Sequence, residues 1–497
     1  MNLWQLLVYI TLISHDYFLF YLKLYNNNGI TEVFIFLMQQ RKPQMLLKNV
    51  KRPFWLPAND MLSDSLKLFS GTTLGQIIPF LAGPILSRLY SPSDFGLYAL
   101  LSSTAGILSI ISTGAYEYAV LTADNEEESD QLSLLSAFLS AAFSALSGII
   151  IAIMLVFAQP WAENSLGWIW LIIPIFIVFQ GLTNVSNYSL NRQQRYGRMS
   201  KGKFLKSLFT TLFQVILGVA KIPWGLFPGT VGGTIISSSY QCFGVKDNLI
   251  RASKAFSFVN LKKLAKKYYR FPAFTMPSQL LNELSVQVPV YLLKAFFTTA
   301  VVGIYALPQK LLNVPVMLIG NSIGQVYFQK AAQQRNDFPA LAETTKSLFR
   351  FLFRIGVLPF SIILVFGDHL FPWIFGAEWQ QSGIFAQMLS PWLLFVLIGS
   401  PISKLFTVQN KQKLGLFSNS ILISLRVASL LIGGLLFRSE MISILLFGLA
   451  GFAYWFCLSF YILRMARVNI LPVFAETIFI WSAVLAVLLA FRFLFAF

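Results

Sequence analysis

Acid, histidine and cysteine are all scarce in this chain. Its 497 residues hold only 20 Asp and Glu, two His and two Cys. Cys242 and Cys457 lie in apolar runs without a partner at metal-ligand spacing, so they read as ordinary membrane-helix cysteines. His15 and His369 stand alone in the sequence, and no metal site is expected from them. Neither a phosphate-cradling glycine loop nor a nucleophile elbow is present. Nothing therefore calls for a catalytic centre, and no cofactor is expected. Charge of either sign makes up only 12% of the chain. That is too little to cover a soluble protein of this length.

Apolar residues are plentiful. They make up 56% of the chain, and the mean hydropathy is +0.66. Runs of about 20 apolar residues match the thickness of a bilayer core. They predict an all-α polytopic membrane protein. Spans are expected near 66–88, 97–121, 132–157, 165–190, 204–220, 226–243, 272–297, 300–328, 348–367, 384–408, 415–436, 441–463 and 473–495. The run 204–220 is the weakest of these. Residues 1–60 fit the pattern poorly, because His15 and Asp16 interrupt the apolar run Leu3–Leu22. They read as an N-terminal extension, either peripheral or the product of a mis-assigned start.

The net charge is +18. Its carriers cluster in short loops, which is the distribution of cytoplasmic loops rather than of a nucleic-acid-binding domain. Arg192, Arg195, Arg198, Lys201, Lys203 and the stretch from Lys246 to Arg270 fall on one side. Residues before the first core span are placed on that side, in the cytoplasm. The opposite side holds few basic residues, and Trp161, Trp168, Trp373 and Trp379 are expected there as an aromatic belt. The acidic run Asp124–Asp130 reads as solvated linker, and Gly367–Gly383 as the longest outer loop.

The chain also repeats. Asp94-Phe95-Gly96-Leu97-Tyr98 and Val301-Val302-Gly303-Ile304-Tyr305 occupy corresponding places 207 residues apart. Gln194-Arg195-Tyr196-Gly197 and Gln412-Lys413-Leu414-Gly415 follow 218 apart. The repeat unit holds six spans, an even number, so both copies have the same orientation. The expected organisation is a six-helix lobe over 61–243, a basic linker over 244–271, a second six-helix lobe over 272–463, and an additional helix within 464–497. Pro79 and Pro289 mark expected bends in equivalent helices.

A charge at bilayer depth costs about 2.5–3.5 kcal/mol on insertion scales, and it persists where it faces a cavity or a partner. Lys310, Arg426 and Glu283 lie well inside their spans. Asn313 shares the face of Lys310, while Arg88 and Glu117 lie near span ends. Two readings are open for Lys310 and Glu283: a cavity role, or a structural ion pair. In a cavity role Lys310, Arg426, Asn313 and Arg88 would bind an anionic substrate, and Glu283 and Glu117 would couple to an ion. The C-terminal lobe is then expected to be the more charged wall.

The run Ser65–Gly71 and the segment Leu86-Ser87-Arg88-Leu89-Tyr90-Ser91-Pro92-Ser93-Asp94-Phe95-Gly96-Leu97-Tyr98 resemble polysaccharide (O-antigen type) flippases. So do Val302–Lys310 and Val314-Pro315. That family belongs to the multidrug/oligosaccharidyl-lipid/polysaccharide exporter superfamily, and the resemblance covers about residues 62–463. It implies two parallel-repeat six-helix bundles around a V-shaped central cavity. It also implies movement of undecaprenyl-diphosphate-linked oligosaccharide across the inner membrane, with membrane lipids, a polysaccharide polymerase and chain-length proteins as partners. Three rival functions remain open: a multidrug exporter, a lipid-precursor exporter, and a membrane-embedded polymerase or glycosyltransferase. Short outer loops argue against the last.

Overall fold

The computed structural model describes residues 75–157, 167–254 and 257–494. All fall within one compact unit, Lys67–Phe497. The expected extension 1–60 with His15 and Asp16, the run Ser65–Gly71 and Trp161 lie outside the described residues. Every element among the described residues is helical. In chain order they are α1 (75–89), α2 (Pro92–Ser112), α3 (Tyr116–Thr122), α4 (Glu126–Phe157), α5 (Ile172–Arg192), α6 (Tyr196–Val219) and α7 (Leu226–Gly244). Two short helices follow, α8 (Lys246–Lys254) and α9 (Phe258–Lys267). The second half holds α10 (Met276–Phe296), α11 (Thr299–Gln333), α12 (Phe338–Phe375), α13 (Gln380–Ile402), α14 (Leu405–Val408), α15 (Gln412–Leu431), α16 (Glu440–Met465) and α17 (Ile470–Leu494). Ten helical stretches among the described residues are long and apolar enough to cross a bilayer.

Several expectations need correction. The span placed at 97–121 is broken. Gly114 and Ala115 both take positive φ, 60° and 59°, which ends α2 and starts the separate α3. The span expected to be weakest is a full helix, α6, which begins eight residues before the expected start at 204. Gly367–Gly383 is not a loop, because α12 runs to Phe375 and only Gly376 and the turn Ala377–Trp379 separate it from α13. Trp379 is no belt residue. It is wholly buried, and its indole N–H donates to the Ser87 carbonyl at 3.0 Å. The Ser87 hydroxyl donates to the Phe375 carbonyl at 2.9 Å, so α1 is tied to the α12–α13 turn from both sides.

The acidic run is solvated linker only at its start, where Asp124 and Asn125 are exposed. Glu126, Glu127 and Glu128 form the first turn of α4, where carboxylates complement the helix dipole. Asp130 is buried, accepting from the Arg251 guanidinium at 3.0 Å and the Asn248 amide at 2.6 Å.

The repeat has a physical basis in the caps and crossings. Ser91 caps α2 in a reciprocal capping box with Asp94, with Pro92 at the helix start. Thr298, 207 residues later, caps α11 through the Val301 amide. Helices α2 and α11 then cross at their glycines. A Cβ on Gly96 would stand 1.8 Å from the Thr299 carbonyl oxygen, and one on Gly303 would stand 1.8 Å from that of Pro92. The contact is reciprocal, since Pro92 and Thr299 are themselves equivalent positions. Such self-complementarity is what a two-fold relation between repeats would produce. Around this crossing, α4, α5 and α7 pack on α2, α5 also packs on α4, α6 and α7, α6 packs on α7, and α11, α12, α13 and α16 pack among themselves. Helix α17 joins the second set along α12. It is held by Glu476 to Arg350 and Arg354 near one end, and by Arg492 to Asp368 near the other.

Candidate functional site

A cavity of about 340 Å³ opens beside the crossing. Its wall is built by α1, α2, α6, α7 and one residue of α11. Helix α6 presents Lys203, Lys206, Ser207, Thr210 and Gln214, spaced three and four apart and therefore on one face. Small residues let this wall form. Gly75 lies against the α6 backbone, and the Ser207 hydroxyl donates to the Gly75 carbonyl. Glycines 229 and 233 of α7 let that helix approach the Gln214 and Thr210 backbone.

Polar order runs through the deeper wall. The Gln214 amide donates to the Leu226 carbonyl at 2.9 Å and to the Thr230 hydroxyl at 3.1 Å. Thr230 reaches the Tyr98 hydroxyl at 3.5 Å. The Tyr90 hydroxyl donates to the Gln214 carbonyl at 2.7 Å. This network fixes Tyr98, whose ring lies 5.7 Å from the Lys310 ammonium. Lys206 donates to Gln180 at 2.8 Å and lies 5.7 Å from the Phe176 ring. Two lining groups, Gln76 Oε1 and Thr210 Oγ1, are buried without a hydrogen-bond partner.

The cavity therefore carries three ammonium groups, Lys203, Lys206 and Lys310, and no carboxylate among its described lining residues. None of the three is ion-paired among the described residues. In a low-dielectric wall, unpaired cations attract anions far more strongly than they would in water. Lys ammonium groups suit phosphate oxygens as compact point charges with several donors.

Of the six residues expected from sequence, only Lys310 lines this cavity. Asn313 is half-buried on the same helix, and its amide donates to the Gln309 carbonyl at 2.8 Å. Glu283 lies against α2 at Gly106 and accepts from the Gln287 amide at 2.7 Å, and Gln287 in turn accepts from the Ser103 hydroxyl at 2.7 Å. Lys310 and Glu283 thus form no ion pair. Arg426 is separate, with its guanidinium 5.4 Å over the Trp392 ring and its buried Nε unpartnered. Glu117 is buried in α3 with one carboxylate oxygen unpartnered. Arg88 is exposed near the end of α1. The expectation that the C-terminal half supplies the charged wall fails for this cavity, because two of its three lysines stand on α6. The sequence places Lys203 with the basic loops and gives Lys206, within a predicted span, no mark of its own. The face shared by Lys203, Lys206, Ser207, Thr210 and Gln214 was the available signal.

The model of a family described as "Polysaccharide biosynthesis protein" matches residues 85–383. The succinoglycan biosynthesis transport protein ExoT of Rhizobium meliloti (strain 1021) is 21% identical over 317 residues, which span 61% of this chain and 60% of ExoT. The lipopolysaccharide biosynthesis protein WzxC of Escherichia coli (strain K12) is 24% identical over 168 residues, 33% of this chain and 34% of WzxC. Among solved structures, the lipid II flippase MurJ in its inward closed conformation superposes with a TM-score of 0.61. That match has 13% identity and covers 87% of this chain and 99% of MurJ. An inward-facing multidrug resistance MATE family transporter of the MOP superfamily gives 0.54 at 13% identity, covering 81% and 94%. At these identities the structural likenesses show a shared fold.

Proposed function

Because the chain belongs to the polysaccharide biosynthesis protein family, we propose that it flips a lipid-linked oligosaccharide across the bacterial inner membrane by alternating access. The observation that carries this reading is the cavity with three lysines and no lining carboxylate. The substrate is an undecaprenyl-diphosphate-linked sugar. Its diphosphate cannot cross hydrocarbon unaided, and Lys203, Lys206 and Lys310 are its ligands. The prenyl tail stays in lipid. Arg426, with Asn313 and Arg88 outside this cavity, meets the headgroup at other stages of the cycle. Glu283 and Glu117 are the candidates for coupling to an ion.

The two six-helix lobes of this reading are 61–243 and 272–463, enclosing a V-shaped cavity. Residues 244–271 are the linker, and 464–497 carry the extra helix. The reciprocal Gly96 and Gly303 contact supports that division. The basic linker faces the cytoplasm, as do residues before the first span. A polysaccharide polymerase and chain-length proteins take the product onward. A cationic cavity also disfavours the multidrug reading, in which amphipathic cations would be the cargo.

The test is transport by the purified protein in proteoliposomes, together with its abundance in membranes. A hydrogen bond to a charged group contributes about 1.5–3 kcal/mol. Lys206→Met and Lys310→Ala should each lower transport roughly 10- to 100-fold with unchanged abundance, since 1.4 kcal/mol is tenfold. Lys310→Arg should retain part of the activity. Full transport by the Lys206→Met, Lys310→Ala double variant would overturn the cavity's role.

A further inference from the structure

The linker helices divide their side chains between two opposed faces, and only one face is accounted for by the rest of the protein. On the inner face of α9, Leu261 and Leu264 are buried, Leu261 beside Tyr116, Val120 and Leu132. The Tyr116 hydroxyl donates to the Ala265 carbonyl at 3.1 Å. Lys267, exposed at the end of α9 and off to the side of this face, donates to Asp124 at 2.7 Å and to Glu128 at 2.6 Å. The Tyr268 hydroxyl donates to the same Glu128 at 2.9 Å. This clasp fixes the rotation of α9 about its own axis.

The fixed rotation turns a second face outward. Phe258, Lys262 and Lys266 follow one another four residues apart, and Val259 and Lys263 run beside them, also four apart. Positions so spaced share one side of a helix. All five are exposed, with Phe258 at 69% and Val259 at 62%. The three lysines have no acidic partner among the described residues. Helix α8 continues the pattern with exposed Lys246, Ile250 and Lys254. A solvated linker gains nothing from exposed Phe, Val and Ile between its lysines. A protein partner of acidic character would account for the lysines alone.

We infer that this outer face of the linker is a docking surface for anionic phospholipid. Its lysines meet lipid phosphates, and Phe258, Val259 and Ile250 enter the boundary between headgroups and acyl chains. Aromatic and aliphatic residues beside lysines are what interfacial helices use. Each lysine near an anionic surface adds to the attraction, which fades within a Debye length and is screened by salt. The inner clasp explains why the surface is stable: the same helix gives Lys267 to protein carboxylates and Lys262, Lys263 and Lys266 to lipid.

The full chain, with Cys242 and Cys457 replaced, would carry an environment-sensitive fluorophore on a cysteine placed at Asn260. It would be reconstituted in neutral phosphatidylcholine vesicles, or in vesicles with about a third phosphatidylglycerol, each containing lipid brominated on its acyl chains. Quenching should rise with phosphatidylglycerol and fall back in high salt. The variant Lys262→Gln, Lys263→Gln, Lys266→Gln should lose docking on the order of a hundredfold and match the neutral-vesicle level. Equal quenching in both vesicle types would show apolar contact without charge recognition and overturn the inference. Absence of quenching in both would overturn it by showing that the face meets no lipid. The assay reads lipid contact rather than transport, so its outcome is independent of the flippase reading.

Discussion

Substituting Gly96 by alanine tests the reciprocal crossing directly. The added methyl would lie 1.8 Å from the Thr299 carbonyl oxygen, whereas real Cβ atoms essentially never approach closer than 3.0 Å. The obstacle is backbone within a capped helix, so no side chain can rotate away. Helices α2 and α11 must separate by about 1.2 Å or more. A radial gap of about 0.5–1 Å already forfeits a quarter to a half of a van der Waals contact, and the crossing is lined on both sides by buried residues. Overpacking typically costs about 1–3 kcal/mol and occasionally more. With rigid backbone on both sides, the upper end of about 3 kcal/mol applies, over a hundredfold in the unfolding equilibrium. Gly303→Ala should cost the same by symmetry. The double variant should cost less than the sum, because the first methyl has already parted the helices. Gly197→Ala is the control, since a Cβ there meets nothing within 4 Å. It should be neutral or stabilising by less than about 1 kcal/mol. The assay is equilibrium unfolding of the purified protein in detergent. Gly96→Ala and Gly303→Ala that unfold like the parent would refute the crossing.

Three further outcomes are expected. Trp379→Phe removes the donor to the buried Ser87 carbonyl and should lower unfolding stability by about 1–3 kcal/mol, while Trp373→Phe, on an exposed ring, should not. Glu476→Gln leaves Arg350 and Arg354 without their shared carboxylate. Partial exposure limits the cost to about 1 kcal/mol, with α17 still pinned by Arg492 and Asp368, so a spin-label distance across α12 and α17 should widen only near Glu476. In the linker clasp, Lys267 holds the Glu128 carboxyl below its usual range, and Asp124 with Glu128 holds the Lys267 ammonium above its own. The Glu128 contribution is present above the ordinary carboxylate pKa and lost as pH falls through the depressed one. That of Lys267 is present below the ordinary lysine pKa and lost as pH rises through the raised one. A spin-label distance between Glu127 and Ser253 positions should therefore stay constant across neutral pH and widen only at acidic and strongly alkaline extremes.

The helices were legible because hydropathy and length determine them almost alone. Most spans expected from Gly75 onward fall on one helix, whereas 97–121 is divided by Gly114 and Ala115. The sequence repeat places Gly96 and Gly303 at corresponding positions, and the backbone crossing found there tolerates only glycine at both. Failures came where tertiary contact overrides local polarity. Asp124–Asp130 read as solvated because its partners, Arg251, Asn248 and Lys267, lie more than a hundred residues away in sequence. Trp379 read as a belt residue because nothing near it in sequence reveals that Ser87 accepts its proton. Lys203 and Lys206 were hidden for a related reason. A helix lining a polar cavity is less apolar than one bathed in lipid, so the feature that weakened α6 as a span is the one that qualifies it as a wall.

The placement of charge supports the same division. Several cations outside the cavity have carboxylates close by: Arg192 with Glu126, Arg251 with Asp130, Lys267 with Asp124 and Glu128, Arg350 and Arg354 with Glu476. These pairs join helices to one another and to the linker. Lys203, Lys206 and Lys310 have no such partner among the described residues, and Lys206 has only the neutral carbonyl of Gln180. Structural pairing would have been available by exchanging Gln180 for Glu, a near-isosteric change. Glutamine at this position leaves the Lys206 charge uncompensated while accepting one of its hydrogen bonds. Such a wall holds its cations in place yet leaves their charge for an incoming anion. Gln180→Glu should accordingly behave unlike a loss of stability. It should pair with Lys206, preserve or raise the unfolding midpoint, and still lower transport of the lipid-linked diphosphate. Undiminished transport with a raised midpoint would show that the free charge of Lys206 is not what the substrate meets.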